Sequence, residues 1–295
     1  MSNTILDQIG NTPLVEATAI NTNPNVKLYL KLEGNNPGGS VKDRPAYNMI
    51  KSALERGDID NNTRLIEATS GNTGIALAMI AGIYGLDMEL VMPENATKER
   101  VQTMRAYGAK VTLTPVDTGI EGSRDYAEAK VKDEGYVMIN QFANDDNWKA
   151  HYKTTGPEIW RDTEGKITHF VSSMGTTGTI MGTSTFLKEQ NPNIQIIGVQ
   201  PDDEASIPGI RKWPVAYLPK IFNPKKVDQI IEVTETEART MTKRLAKEEG
   251  VFGGMSSGGA TAAALKLIEK LDKGVVVAII CDRGDRYLSS DLFDK

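Results

Sequence analysis

The residues with the most chemistry to offer lie together in Pro37-Gly38-Gly39-Ser40-Val41-Lys42-Asp43-Arg44-Pro45. Glycines and a serine come first, then a lysine. A proline follows at the first turn of a predicted helix that continues through Ala46 to Leu54. Proline suits that place because its missing N–H would have no intrahelical partner. Lys42 is therefore expected at a helix N-terminus. The positive end of the helix dipole disfavours a cation there and should draw the lysine pKa down. A lysine held partly neutral is a nucleophile that can form a Schiff base with a carbonyl. A lone loop lysine is ordinarily just solvated, so this reading depends on what accompanies it.

Three further turns accompany it, each rich in small and hydroxyl residues and each followed by a helical pattern. They are Thr69-Ser70-Gly71-Asn72-Thr73-Gly74, Gly175-Thr176-Thr177-Gly178-Thr179 and Gly253-Gly254-Met255-Ser256-Ser257-Gly258-Gly259. In open α/β sheets such turns gather at the carboxyl ends of the strands, where ligands bind. The turn at 175–179 is an anion cradle whose glycines admit close backbone approach, with N–H groups and hydroxyls to donate and a helix dipole behind them. Lacking lysine and arginine, it would hold a phosphate with dipoles. It fits neither the P-loop nor the dinucleotide pattern. The donors of Thr69, Ser70, Gly71 and Thr73 suit a carboxylate. Taken singly, each turn is an ordinary helix cap. Taken with Lys42, they describe a phosphate-bearing aldehyde in Schiff-base linkage with an amino-acid carboxylate beside it, which is pyridoxal phosphate chemistry.

The elements that must position these turns alternate along the chain. Val26–Glu33 alternates apolar and polar residues, the mark of a half-buried strand. Predicted strands at 64–68, 88–93 and 110–114 are separated by helices from Ile75, from Lys98 to Tyr107 and from Gly122 to Asp133. The polar run from Asn140 to Asn147 reads as a crossing between domains. A helix at Thr154–Trp160, a strand at His169–Ser173, a helix from Ile180 and a strand at 194–200 follow. Residues 201–224, rich in Pro, Gly and charge, read as a loop over a site. A helix from Glu235, an alanine-rich helix through Lys270 and an apolar strand at Gly274–Ile280 end the pattern. This alternation predicts open parallel sheets, without internal repeats.

The chain of 295 residues carries a net charge of −5, which argues against a nucleic-acid or anionic-membrane surface. The N-terminal residues show no basic region followed by an apolar core, so no signal peptide is expected. A single cysteine, Cys281, excludes an intrachain disulfide and fits a cytoplasmic setting. Two histidines and one cysteine, far apart, predict no metal site.

The chain resembles the cysteine synthase family, fold type II of the pyridoxal-phosphate enzymes. The resemblance rests on Ile9–Leu14, Ser40–Arg44, Thr69–Gly74, Thr154–Trp160, Gly175–Thr179 and Ser256–Gly258. Its B-type character lies in Ser206–Pro214 and Cys281–Tyr287. The resemblance implies two open, twisted α/β domains of the tryptophan-synthase-β-like kind with the cofactor in the cleft between them. The smaller domain would span 37–147, and the larger 1–36 plus 148–295. It implies Lys42 as the Schiff-base lysine and acid–base group, and Asn72 on the cofactor 3′-oxygen. Gly175, Thr176, Thr177, Gly178 and Thr179 would hold the phosphate, with Ser256 facing the pyridine nitrogen. Thr69, Ser70, Gly71, Thr73 and Gln141 would bind the substrate carboxylate.

The reaction implied is β-replacement, making cysteine from O-acetylserine and sulfide, and S-sulfocysteine from thiosulfate. Arg211 is the candidate contact for the larger donor. Cys281 is open to two readings, a pocket residue or a small buried hydrophobe. Serine or threonine dehydratase and cystathionine β-synthase share these turns and remain alternatives. The family implies a homodimer. A non-catalytic role beside serine acetyltransferase is a further alternative, though the stretch near Arg211 argues against that complex.

Overall fold

The predicted alternation closes into two sheets in the computed structural model, which describes residues 4–294. In chain order the elements begin β1 (Leu14–Glu16), β2 (Val26–Leu32), α1 (Asp43–Arg56), β3 (Arg64–Ala68) and α2 (Asn72–Tyr84). They continue β4 (Asp87–Pro93), α3 (Lys98–Ala106), β5 (Lys110–Thr114), α4 (Gly119–Glu134), β6 (Val137–Met138), α5 (Asp145–Lys153) and α6 (Thr155–Asp162). The remainder is β7 (His169–Ser173), α7 (Gly178–Gln190), β8 (Gln195–Pro201), β9 (Gln229–Val233), α8 (Glu235–Glu248), α9 (Met255–Ile268) and β10 (Gly274–Ile280).

One sheet runs β5-β4-β3-β6 and is parallel throughout. The other runs β1-β2-β10-β7-β8-β9, with only β1 antiparallel to its neighbour. Both sheets are covered on two faces, which explains strands that read as unbroken apolar runs. In β10, Val276, Ala278 and Ile280 pack with residues of α8 and α9. Val277 and Ile279, one step out of phase, pack with residues of α6 and α7. In β3, Leu65 joins the core built by α1, α2 and α3, whereas Ile66 faces Ala127 of α4.

Three elements depart from the sequence reading. Part of the predicted crossing at 140–147 is the start of α5. Its inward residues are Asp146, Asn147, Ala150 and His151, so no apolar period announces it. Its legible signal is Asn144, whose side chain caps the helix by accepting from the Asp146 N–H. β9 is an edge strand with Ile230 exposed, and β6 is only two residues long. The segment 201–224 is a loop, as expected, with a 3-10 turn at Val215–Tyr217.

Candidate active site

Four helix starts converge. Lys42 caps α1, Gly71 caps α2, Thr177 caps α7 and Gly254 caps α9. The turns before α2 and α7 leave the carboxyl ends of β3 and β7, and Cys281 follows the end of β10. Together they line a cavity of about 360 Å³. Of the site residues expected from the sequence, Lys42, Thr69, Ser70, Gly71, Asn72, Thr73, Gln141, Gly175, Thr176, Thr177, Thr179, Arg211, Ser256 and Cys281 all line it. Gly178 does not. It lies behind the turn, where a Cβ would collide with Asn147 Oδ1.

Lys42 is held by its chain neighbours. The Val41 N–H donates to the Cys281 carbonyl at 2.8 Å, and Ser40 bridges Asp282. The Lys42 ammonium makes no hydrogen bond or ion pair among the described residues. Its pKa is lowered, as the sequence reading expected, but the main cause is burial rather than the helix dipole. The nearby Cys281, Asp282 and Glu33 oppose that lowering only in part. A lysine shifted in this direction is a better nucleophile than a solvated one.

Behind it, Arg44 of the same helix is clamped in a buried ionic cluster. Its guanidinium meets Glu33 at 2.6 Å and Glu158 at 2.7 Å, and Lys31 meets Glu158 at 2.8 Å. Burial works against the Glu158 charge, yet Arg44 and Lys31 hold its pKa down at about 2.

The turn at 175–179 is an uncharged cradle. Thr177 sits at φ +70°, which turns the chain into α7, and its Oγ1 is buried without a hydrogen-bond partner. An orphaned hydroxyl at a helix N-terminus is a donor in need of an acceptor. Asn147 steadies the turn by donating to the Gln141 carbonyl at 2.7 Å and to Thr176 Oγ1 at 3.3 Å. Trp213 Nε1 donates to the Gly175 carbonyl at 2.7 Å. His151 lies between Thr155 and Thr179 hydroxyls, and burial pushes its pKa down to about 3, so it adds no charge. A lysine and a dipolar phosphate cradle in one cavity fit pyridoxal phosphate.

Across the cavity, Thr73 Oγ1 donates to Gln141 Oε1 at 2.7 Å, which leaves the Gln141 amide N–H groups to donate. Ser257 is occupied by the Cys281 N–H at 3.0 Å, and of these two adjacent serines Ser256 is the one that lines the cavity. Burial pushes the Cys281 thiol up to about 11. Arg211 is exposed at the rim and lies over the Trp213 ring, 6.0 Å from its centre.

Sequence reasoning missed Arg100 on α3 and Arg124 on α4, two more guanidinium groups lining the cavity. Single arginines on helices carry no motif, so nothing in the sequence could have flagged them. It also gave no role to Asp282, Arg286 or Tyr287. The signal available was their place directly after the apolar strand β10.

The profile of a family described as "Pyridoxal-phosphate dependent enzyme" matches residues 5–282. The chain is 57% identical over 291 residues to cysteine synthase B of Pseudomonas aeruginosa, covering 99% of this chain and 97% of that protein. It is 54% identical over 293 residues to cysteine synthase B of Escherichia coli, covering 99% and 96%. Among solved structures, a cysteine synthase from Entamoeba histolytica superposes with a TM-score of 0.95 at 36% identity, covering all of this chain and 91% of that one.

Proposed function

The chain belongs to the pyridoxal-phosphate dependent enzymes and, within them, to the cysteine synthases; from that premise we propose how its own residues perform β-replacement on O-acetylserine. The observation that carries the reading is the single cavity that joins a lysine of lowered pKa to an uncharged cradle with an orphaned buried hydroxyl. Pyridoxal phosphate, when bound there, supplies the electron sink that acidifies the substrate α-proton and lets a β-substituent leave.

Lys42 would hold the cofactor through its Nζ. Its Nζ, once free, would accept the substrate α-proton as general base and later return it. Gly175 through Thr179 hold the phosphate, Gly178 by letting α5 approach and the others by donating. Asn72 would donate to the 3′-oxygen. The N–H and hydroxyl groups of Thr69, Ser70, Gly71 and Thr73, with the Gln141 amide, orient the substrate carboxylate. Ser256 would meet the ring nitrogen with a neutral hydroxyl, which cannot keep a proton on that nitrogen as a carboxylate would. That limits charge delocalisation and favours prompt loss of the β-substituent. Acetate departs with the electrons of the Cβ–O bond, and a sulfur nucleophile forms the new Cβ–S bond.

Thiosulfate is the larger, doubly charged donor in this reading. The cavity lining supports it with Arg211, Arg100 and Arg124, since guanidinium groups match oxyanions bidentately. Residues 37–147 form the smaller domain and the rest the larger, an inference supported by the four-stranded sheet lying wholly within 64–138. A cytoplasmic homodimer completes the reading. Among the described residues no helix is long and apolar enough to cross a membrane.

The test supplies O-acetylserine with sulfide, with thiosulfate, and alone. Cysteine and S-sulfocysteine are expected in the first two arms. Pyruvate alone in every arm would make the enzyme a dehydratase, and faster turnover with homocysteine would make it a cystathionine β-synthase. Lys42→Ala should keep phosphate-dependent cofactor binding and lose turnover. Wild-type rates in that variant would remove Lys42 from the chemistry.

A further inference from the structure

Asp282 is 1% exposed, and its Oδ2 accepts from Asn72 Nδ2 and from the Tyr287 hydroxyl, each at 2.7 Å. The Arg286 guanidinium donates to Asn72 Oδ1 and also to the Gly38 carbonyl. These two partners are chemically one-way. Oδ2 of Asp282 is already the acceptor of the Tyr287 hydroxyl, and a guanidinium only donates. The Asn72 amide therefore has one permitted orientation, with Oδ1 on Arg286 and one Nδ2–H on Asp282. Asn72 lines the cavity, and its second Nδ2–H has no acceptor among the described residues.

We infer that Asp282 and Arg286 are positioning residues that fix the Asn72 amide so that its second N–H is presented to the 3′-oxygen of bound pyridoxal phosphate. The inference rests on the placement of Asn72 given above. Arg286 has a further effect, because donation to an amide oxygen polarises the amide and makes its N–H a stronger donor. An asparagine free to turn over would offer its oxygen to the 3′-oxygen half of the time and repel it. The same segment also sets the lysine, since Cys281 and Asp282 pair with Val41 and Ser40 just before Lys42. One strand end thus adjusts both partners of the cofactor's reactive edge.

The experiment compares the cofactor-loaded variants Asp282→Ala and Arg286→Gln with Asn72→Ala and wild type. The absorbance of the bound cofactor is titrated against pH, cofactor affinity is measured by reconstitution, and borohydride trapping reports linkage at Lys42. Both variants are expected to shift the titration in the direction that Asn72→Ala shifts it. Turnover should fall about tenfold, as for loss of one charge-assisted hydrogen bond, with KM for O-acetylserine little changed and trapping at Lys42 retained. A wild-type titration in Asp282→Ala and Arg286→Gln, alongside an altered Asn72→Ala, would overturn the inference. A wild-type titration in Asn72→Ala itself would instead overturn the placement of Asn72, and the inference with it. Should Asp282→Ala not fold, the half-buried Arg286→Gln decides alone.

Discussion

At the scale of single residues, the proposed mechanism separates side chains that do chemistry from those that choose a substrate. Ser256 is of the first kind. Ser256→Asp should place a carboxylate on the ring nitrogen, keep that nitrogen protonated and slow the elimination step. The expected signs are a new long-wavelength absorbance with substrate and a lower rate of acetate release. An unchanged spectrum and rate would take Ser256 off the nitrogen. Arg211 is of the second kind. Arg211→Ala should lower S-sulfocysteine formation from thiosulfate by one to two orders of magnitude, roughly 1.5–3 kcal/mol for a charge-assisted contact. Cysteine formation from sulfide should change far less, and an equal loss with both donors would give Arg211 a general role in shaping the site. Lys42, Asn72 and the hydroxyl turns were legible because chemistry demands those types next to helix starts. Arg100 and Arg124 were not, because their meaning comes only from the cavity they share.

At the scale of elements, α5 shows why a helix can escape its own sequence. It turns Asp146, Asn147 and His151 inward, and these serve the turn before α7 and α1 rather than an apolar core. Arg56 of α1 pairs with Asp146 at 2.7 Å, and Asn48 donates to the Asp146 carbonyl at 2.7 Å. β10 was legible for the opposite reason, since both of its faces are apolar cores. The contact between α5 and α7 is tight enough to be tested. Gly178→Ala would drive a methyl group into Asn147, and overpacking of this kind costs about 1–3 kcal/mol. Cofactor affinity, measured by reconstitution, should fall about tenfold or more. The absorbance at saturation should match wild type, because Lys42 is untouched. Wild-type affinity would mean that the turn relaxes without consequence.

At the scale of the molecule, the parallel sheets and the cavity at their strand ends followed from the strand–helix alternation, but the joint between the two sheets did not. That joint is the buried cluster of Lys31, Glu33, Arg44 and Glu158. It ties α1, which packs in the core of the four-stranded sheet, to β2 of the other sheet and to α6. Its members are far apart in sequence, and no local pattern pairs them. Their burial makes the cluster sensitive to what is removed. Arg44→Met would strand the buried Glu33 without its cation and leave Glu158 with Lys31 alone, a change that typically costs about 3–5 kcal/mol.

The pH dependence distinguishes this from simple loss of packing. In the wild type Glu158 is held at about 2 against an ordinary 4.5. Its contribution to stability is therefore complete above the unfolded value and is lost as pH falls from about 4.5 towards 2. Without Arg44 the buried Glu33 carboxylate should take up a proton more readily than it does unfolded, and for that group the sign reverses. The variant's deficit in urea midpoint, measured with saturating cofactor, should then shrink as the pH is lowered from 7 to about 4. A deficit that stayed constant over that range would show that Arg44 stabilises the joint by packing alone, and that the charges of Glu33 and Glu158 find other partners when it is gone.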